Sequence, residues 1–211
     1  ALAGDQSLLV LPEEFGAVDT NGDKELSESE IQLSVNRAKE KLPNLVVPEM
    51  NGIGAQEICV TSAQGICDFI SAMDTNRLQE WNCWYHIMNC GYPLKASGET
   101  DFPCVSGGRV GEGRVYVQLG KIDRIDYAQW CEGLAKGRSY VSDGHAHALR
   151  FTVNGKAAGS EVTLDAAGTV QVQARVAFAS EPLLGKAPGG FIPEGAKRLV
   201  EIVVNGQVAA S

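Results

Sequence analysis

The sequence predicts an α/β protein that begins with a helix–loop–helix segment and ends in a β-rich segment. Three observations support this division. An acidic stretch lies between two helical patterns in residues 1–44. Helical and strand patterns alternate through residues 45–147, which is typical of α/β folds. From residue 148 to residue 211, apolar and polar residues alternate between Gly- and Asn-rich turns, and this pattern indicates an incomplete β-sandwich.

The acidic stretch DTNGDKELSESE, residues 19–30, has the spacing of an EF-hand calcium loop. Such a loop supplies oxygen ligands from positions 1, 3, 5, 7, 9 and 12. Those positions hold Asp19, Asn21, Asp23, Glu25, Ser27 and Glu30. We expect Glu25 to contribute its backbone carbonyl, Ser27 to bind directly or through a water, and Glu30 to bind with both carboxylate oxygens. The predicted ligand is therefore Ca²⁺.

Position 6 of the loop departs from the usual pattern. Gly is the usual residue there because the chain turns sharply, whereas this chain has Lys24. A residue with a Cβ enters the left-handed region at a cost of about 1 kcal/mol, so we expect a weakened site, relieved in part by Gly22. The alternative is an acidic surface turn, but six positions in register and Leu26 at position 8 favour calcium. The sequence has no second loop of this kind, which indicates a structural or low-affinity site.

The residues before the loop predict a short helix. Pro12, Glu13 and Glu14 suit its first turn, and Phe15 and Val18 give it an apolar side.

The residues after the loop predict a second helix that Ser27 caps and Pro43 ends. Its apolar residues recur at helical spacing and are Ile31, Val35, Ala38 and Leu42.

The middle segment predicts short buried strands or strand-loop edges in QEICV and CDFISAM, a helix over residues 77–91 and a strand that begins KASG. A strand at 113–119, a helix at 126–137 and a strand at 138–144 follow. The C-terminal segment predicts strands in ALRFTVNG, SEVTLDAAG, TVQVQARVAFA and RLVEIVVNG. An Asn-Gly turn and the start of another strand end the sequence, so we expect the chain to be part of a longer protein.

Composition limits the classes of partner. The chain has 211 residues, a net charge of −8 and no basic stripe, so we expect no nucleic-acid partner. No apolar run is long enough to predict a membrane span. The six cysteines lack the close spacing of zinc sites, and we expect Cys59 and Cys67 to be buried free thiols. A weak calcium loop suits millimolar calcium, which favours an extracytoplasmic location, periplasmic or secreted.

Asp101 marks a second candidate site. It follows an apparent strand within SGETDFP, and strand ends of α/β folds are where ligands and metals bind. The alternative role for Asp101 is to cap a turn.

Four blocks of the middle segment resemble a known family. They are VPEMNGIGAQE, DFISAMDT, WYHIMNCGYPLKASGETDFPCVSGGRVGEGRVYV and WCEGLAKGRSYVSDG. Together they resemble the C-terminal half of CehA/McbA-like metallohydrolases of the PHP (polymerase and histidinol phosphatase) superfamily. The resemblance implies part of a distorted β/α barrel with metal ions at its strand ends. It also implies metal-assisted hydrolysis of an ester or phosphoester, with a second divalent metal (Zn²⁺, Mn²⁺ or Fe²⁺) in the complete protein.

The resemblance assigns catalytic roles to Asp101 and, in the GAQEICV strand, to Glu57. Asp101 matches the Asp of the last family motif, but Pro103 stands where the family has a His ligand. The early His-x-His motif belongs to the half of the family fold that this sequence does not contain. The resemblance implies that the EF-hand segment is an insertion between barrel elements and that the β-rich segment is an appended sandwich.

The three histidines are weaker candidates. We interpret His86 as a packed side chain on a helix rather than a ligand. Asp143, His145 and His147 copy the early family motif, but they follow the last barrel strand. We interpret them as the entry to a strand, and a metal site is the alternative.

Three functional hypotheses follow. The first is a calcium-binding fragment of a PHP-like hydrolase of the ester or phosphoester class, in which calcium braces an inserted helix pair and catalysis on an unidentified small-molecule or ester substrate needs the missing half of the fold. The second is a non-catalytic structural or interaction protein on a degenerate barrel, with calcium as its ion. The third is a hydrolase with a rearranged set of Asp101, Glu57 and His86. Close approach of those three side chains would support the third hypothesis, and wide separation would favour the second.

Overall fold

The computed structural model describes residues 13–41, 57–72, 77–100, 102, 111, 113–179 and 197–211. The helices in these ranges are α1 (Phe15–Val18), α2 (Glu28–Lys39), α3 (Ile58–Ala63), α4 (Arg77–Asn89) and α5 (Tyr127–Ala135). The strands are β1 (Phe69–Ala72), β2 (Lys95–Gly98), β3 (Arg114–Val117), β4 (Ser139–Ser142), β5 (Ala146–Val153), β6 (Lys156–Ala157), β7 (Val172–Phe178), β8 (Ile202–Val204) and β9 (Gln207–Ala210).

The strands form small separate sheets. β1 pairs with β2 in parallel, and β3 pairs with β4 antiparallel. β5 lies between β6 and β7 in an antiparallel sheet, and β8 and β9 form a hairpin. This mixture of helices and strands agrees with the α/β class. Within the described residues, none of the sheets closes into a barrel.

The main apolar core lies in the segment β1–α4–β2. Its buried members are Ile58, Ile70, Cys83, Ile87 and Leu94. The indole N–H of Trp84 donates to the Leu94 carbonyl at 2.8 Å, which connects α4 to the residue before β2. Parallel strands need a crossover between them, and α4 provides it. The predicted strand in CDFISAM, the helix at 77–91 and the strand at KASG are thereby confirmed.

Glycine allows the main chains of β2 and β3 to approach closely. A Cβ on Gly98 would overlap the Arg114 carbonyl, and a Cβ on Gly113 would overlap the Glu99 carbonyl. In both cases the obstacle is backbone, which cannot rotate aside. This close approach explains why glycine stands at the end of β2 and just before β3.

The predicted elements at 113–119, 126–137 and 138–144 are present as β3, α5 and β4. The Asp126 side chain caps α5 by accepting from the Gln129 N–H at 3.0 Å. Gly137 follows the helix with a positive φ of 70°, the usual role of glycine after a helix end.

The predicted turn between β8 and β9 is confirmed. Asn205 and Gly206 have positive φ values of 51° and 74°, as a two-residue hairpin turn requires. Asn154 and Gly155 repeat this pattern between β5 and β6, with φ values of 49° and 76°. Three of the four predicted C-terminal strands correspond to β5, β7 and β8.

Two predicted strands are wrong. Residues 160–168 contain no strand: their alternating pattern has almost no buried side chain, and none of the strands in the described ranges pairs with them. The QEICV segment was predicted as a buried strand, but Ile58–Ala63 is the helix α3 and Glu57 stands at its N-cap position. A short apolar run fits a strand or a buried helical turn equally well, so its period could not distinguish them.

The cysteine prediction needs a correction. Cys59 and Cys67 are free thiols, as expected, but Cys59 is exposed and Cys67 is half-buried. Among the described cysteines Cys83 is the buried one, and its burial raises the pKa of the thiol to about 11.

In the described part of the chain, every helix is too short or too polar to cross a membrane.

Candidate metal centre

Helix α1 leads directly into the loop. It contains only Phe15–Val18, with Glu14 at its N-cap position and Asp19 at its C-cap position. The prediction that Glu13 and Glu14 form its first turn is therefore wrong by one turn, and Pro12 lies outside the described residues. Val18 is fully buried, whereas Phe15 is 44% exposed. The helix places Asp19, position 1 of the candidate loop, at its end.

Helix α2 begins at the other end of the loop, and the predicted cap is confirmed. Ser27 Oγ accepts from the Glu30 N–H at 3.3 Å, and Glu30 Oε2 accepts from the Ser27 N–H at 3.1 Å, which makes a capping box. Glu30 and Ala38 are buried on α2, and so is Ser34 between them. A spacing of four residues places these three on one face of the helix. The predicted residues Leu42 and Pro43 lie outside the described residues.

The first three predicted side-chain ligands organise the loop backbone. Asp19 accepts from the Gly22 N–H at 2.7 Å through Oδ1 and from the Lys24 N–H at 3.0 Å through Oδ2. Asn21 Oδ1 accepts from the Asp23 N–H at 2.8 Å. These side-chain oxygens therefore bond the backbone of the turn, although the residues stay accessible to solvent.

The same pattern continues to position 7. Asp23 Oδ1 accepts from the Glu25 N–H at 2.8 Å, and Asn21 Nδ2 donates to Asp23 Oδ2 at 2.8 Å. The first half of the loop is thus a series of short turns in which each polar side chain bonds the backbone two to five residues ahead.

Glu30, at position 12, closes the loop. Its Oε1 accepts from the Thr20 N–H at 2.9 Å, the Thr20 hydroxyl at 3.0 Å and the Asn21 N–H at 3.3 Å. Its Oε2 accepts from the Ser27 hydroxyl at 2.6 Å. The carboxylate is only 5% exposed, and it connects the end of the loop to its start.

These donors keep Glu30 ionised. The Ser27 hydroxyl and N–H, and then the Thr20 hydroxyl and N–H, lower the pKa of Glu30 from 4.5 to about 2, against the opposing effect of burial. A hard cation requires a charged carboxylate at this position. The protonation state of Glu30 at neutral pH meets that requirement.

The backbone at Lys24 has the strained conformation that the sequence predicted. Its φ is 66°, in the left-handed region, and Gly22 has a φ of 77°. Lys24 therefore adopts the conformation that glycine usually provides at position 6. The turn is formed despite the substitution, at the energetic cost of a Cβ in that region.

The loop offers the type of ligand atom that calcium prefers, but its carboxylates are not gathered around one point. Within the described ranges, no three His, Cys, Asp or Glu side chains approach closely enough to hold a metal ion. The predicted calcium set contains only three carboxylate side chains, and an amide, a hydroxyl and a backbone carbonyl complete it. All six are oxygen donors, which is the chemistry that calcium prefers.

Two of the residues considered for hydrolysis, Glu57 and His86, lie outside the loop 19–30. Glu57 is exposed at the start of α3, and His86 is half-buried within α4. Asp101 and Pro103 lie outside the described residues. The close approach of Asp101, Glu57 and His86 stays a prediction.

The residues 143–147 form the entry to a strand, as expected. Asp143 Oδ1 accepts from the His145 N–H at 3.0 Å, and β5 begins at the next residue. His147 Nδ1 lies 3.0 Å from the Tyr140 hydroxyl, and Tyr140 stacks on Tyr116 with 4.9 Å between ring centroids. His147, in β5, is thus hydrogen-bonded to Tyr140 of β4 and packs beside two tyrosine rings.

Sequence reasoning missed two contributors to the candidate centre. Thr20, at position 2, donates both its N–H and its hydroxyl to Glu30. Arg37 contacts residues that lie 20 to 24 positions earlier in the chain. A Thr at position 2 gives no distinctive pattern, and a contact over that separation depends on how α1 and α2 pack.

No protein-family model, curated protein or solved structure matches this chain.

Proposed function

We propose that this protein binds Ca²⁺ through the loop 19–30 and that the ion stabilises the helix–loop–helix segment. The observation that supports the proposal most strongly is the position of Glu30. Its ionised, buried carboxylate folds back over the first residues of the loop, beside the backbone of Thr20 and Asn21. The side chain at position 12 therefore folds back onto positions 2 and 3, at the start of the loop, which supports ligation of one ion from both ends of the loop.

Each predicted ligand residue would contribute a particular oxygen atom. Asp19, Asn21 and Asp23 would provide side-chain oxygens, and Glu25 would provide its carbonyl. Ser27 would bind directly or through a water, and Glu30 would provide both oxygens. The ion would supply positive charge at the centre of an acidic loop, where three carboxylates otherwise repel one another.

Two features favour weak binding. Glu30 accepts hydrogen bonds from Thr20 and Ser27, and a carboxylate has about four lone-pair positions. A calcium ion would therefore compete with these donors. Together with Lys24 at position 6, this competition favours a dissociation constant of about 10⁻⁴ to 10⁻³ M, the range of extracellular calcium modules. Such an affinity is compatible with an extracytoplasmic location, which stays a prediction.

Isothermal titration calorimetry with CaCl₂ tests the proposal. We expect saturable heat for one site in the wild type and none in Glu30→Gln, because the amide removes the charge and one anionic oxygen. Glu28→Gln is the matched control, since it removes the same charge from an exposed residue of the same helical turn. Equal calcium binding by Glu30→Gln and the wild type would show that the loop is not the site.

The hydrolase prediction stays separate from the calcium proposal. It depends on the sequence resemblance alone, and its main residue, Asp101, lies outside the described residues. The non-catalytic alternative, a structural or interaction protein that binds calcium, makes the same prediction for the loop. An assay of ester and phosphoester hydrolysis with Zn²⁺, Mn²⁺ or Fe²⁺, on the complete protein and on its Asp101→Asn variant, would distinguish the two.

A further inference from the structure

A polar cluster joins helices α1 and α2. Glu13 Oε2 accepts from Arg37 Nη2 at 2.6 Å, from Arg37 Nε at 3.2 Å and from the Ser34 hydroxyl at 2.8 Å. Arg37 Nη2 also donates to the Ala17 carbonyl at 3.1 Å. We call this cluster of Glu13, Ala17, Ser34 and Arg37 the helix clasp.

The helix clasp holds both ends of α1 against α2. Glu13 lies just before α1, and the Ala17 carbonyl lies in its single turn, two residues before Asp19. Ser34 is fully buried and lies one turn beyond Glu30 on the same face of α2. The hydrogen bonds from Arg37 and Ser34 also lower the pKa of Glu13, so its carboxylate is charged at neutral pH.

We propose that the helix clasp positions the calcium loop by fixing the separation of its two ends. Asp19 is attached to α1 and Glu30 belongs to α2, so the packing of the two helices sets the distance between ligand positions 1 and 12. This inference depends on the proposed calcium function. Holding the loop ends together before binding reduces the entropy that the ion must overcome, which raises affinity without any contact to the ion.

The sequence gives a reason why such a clasp is needed. EF-hand loops usually work in pairs, and this sequence has no second loop of the kind. Helix α1 is only one turn long, and one turn has little stability of its own. Val18 is buried, but the other side chains of α1 are exposed and contribute little apolar packing. Polar contacts with Arg37 and Ser34 therefore hold the helix in place.

Calcium titration of clasp variants tests the inference. We expect Glu13→Gln and Arg37→Gln each to weaken calcium binding by about 3- to 30-fold, as a loss of preorganisation would. The double variant should be little weaker than either single variant, because both substitutions break the same contact. Arg150→Gln is the control for Arg37→Gln, since it removes the same positive charge at an exposed position of β5.

Ser34→Ala gives a second, milder test. Alanine favours the helix, so α2 should keep its fold while the hydroxyl donor to Glu13 is lost. We expect calcium binding to weaken by about 2- to 5-fold, a smaller loss than removal of the charged donor.

The outcomes separate the two proposals. Weaker binding in the clasp variants, with unchanged binding in Arg150→Gln, supports the inference. Lower thermal stability in chelator with a wild-type calcium dissociation constant would overturn it, because a purely structural contact does not change the affinity of the folded protein. Absence of calcium heat in the wild type itself would overturn the proposed function and this inference together.

Discussion

The carboxylate of Glu30 accepts a hydrogen bond from the Thr20 N–H at 2.9 Å, across ten residues of sequence. This contact turns a linear series of acidic residues into a closed loop. It also joins the cap of α2 to the residues that follow α1, because the same carboxylate accepts from Ser27. Substitutions at either end of the loop should therefore affect both helix stability and calcium binding.

The low pKa of Glu30 predicts acid sensitivity of the helix–loop–helix segment. A carboxyl whose pKa falls from 4.5 to about 2 on folding adds stability that is complete above pH 4.5 and is lost as pH falls toward 2. We expect the Glu30 carboxyl ¹³C signal to titrate near pH 2. A midpoint near 4.5 would contradict the closed loop. Glu13, whose pKa is also lowered, should titrate below its usual range as well.

Removal of the Ser27 hydroxyl should destabilise α2. Ser27→Ala loses the cap and the donor to Glu30, at a cost of about 1 kcal/mol. Faster amide hydrogen exchange in Glu28–Lys39 would measure the loss. Ser27→Asn is the matched control, because Asn caps helices nearly as well, and its exchange should stay close to wild type.

Glycine at position 6 should stabilise the loop. Lys24 has a φ of 66°, so Lys24→Gly removes the strain of a Cβ in the left-handed region and should gain about 1 kcal/mol. Slower amide exchange in the loop would report the gain. Lys24→Ala removes the same charge but keeps the Cβ and should show no gain. An equal gain in both variants would assign the effect to charge.

The close approach of β2 and β3 predicts that Gly98 tolerates no side chain. Gly98→Ala would force a methyl group into the Arg114 carbonyl and should destabilise the protein by about 2 kcal/mol, typical of overpacking. Chemical denaturation gives the measurement. Gly16→Ala is the control, because a Cβ there meets nothing within 4 Å. A small effect of Gly98→Ala would contradict the close approach of the β2 and β3 main chains.

Local signals in the sequence predicted most of the helices and strands. The cap at Ser27, the turn at Asn205 and Gly206 and the helix after Asp126 depend on residues a few positions apart, so their chemistry is readable without knowledge of the fold. The same applies to the first half of the loop, whose hydrogen bonds connect residues two to five apart, whereas Glu30 accepts from Thr20, ten residues away.

Features that depend on distant contacts were not predictable. The QEICV segment forms a helical turn because Ile58 packs into the core of β1, α4 and β2, which its short apolar pattern does not specify. Residues 160–168 have strand-like alternation, but no strand that the structure describes pairs with them. The contact of Arg37 with Glu13 spans 24 residues and follows from the packing of α1 on α2.

A calcium titration followed by ¹H–¹⁵N NMR tests the central claim most directly, because it reports each loop residue separately. We expect saturable shifts of the Gly22, Lys24 and Glu25 amides, whose hydrogen-bond acceptors are the predicted ligand side chains of Asp19 and Asp23. Amides of β8 and β9 should stay unchanged. Loop amides that do not move at calcium concentrations of about 10 mM, well above the expected range for such modules, would contradict the account.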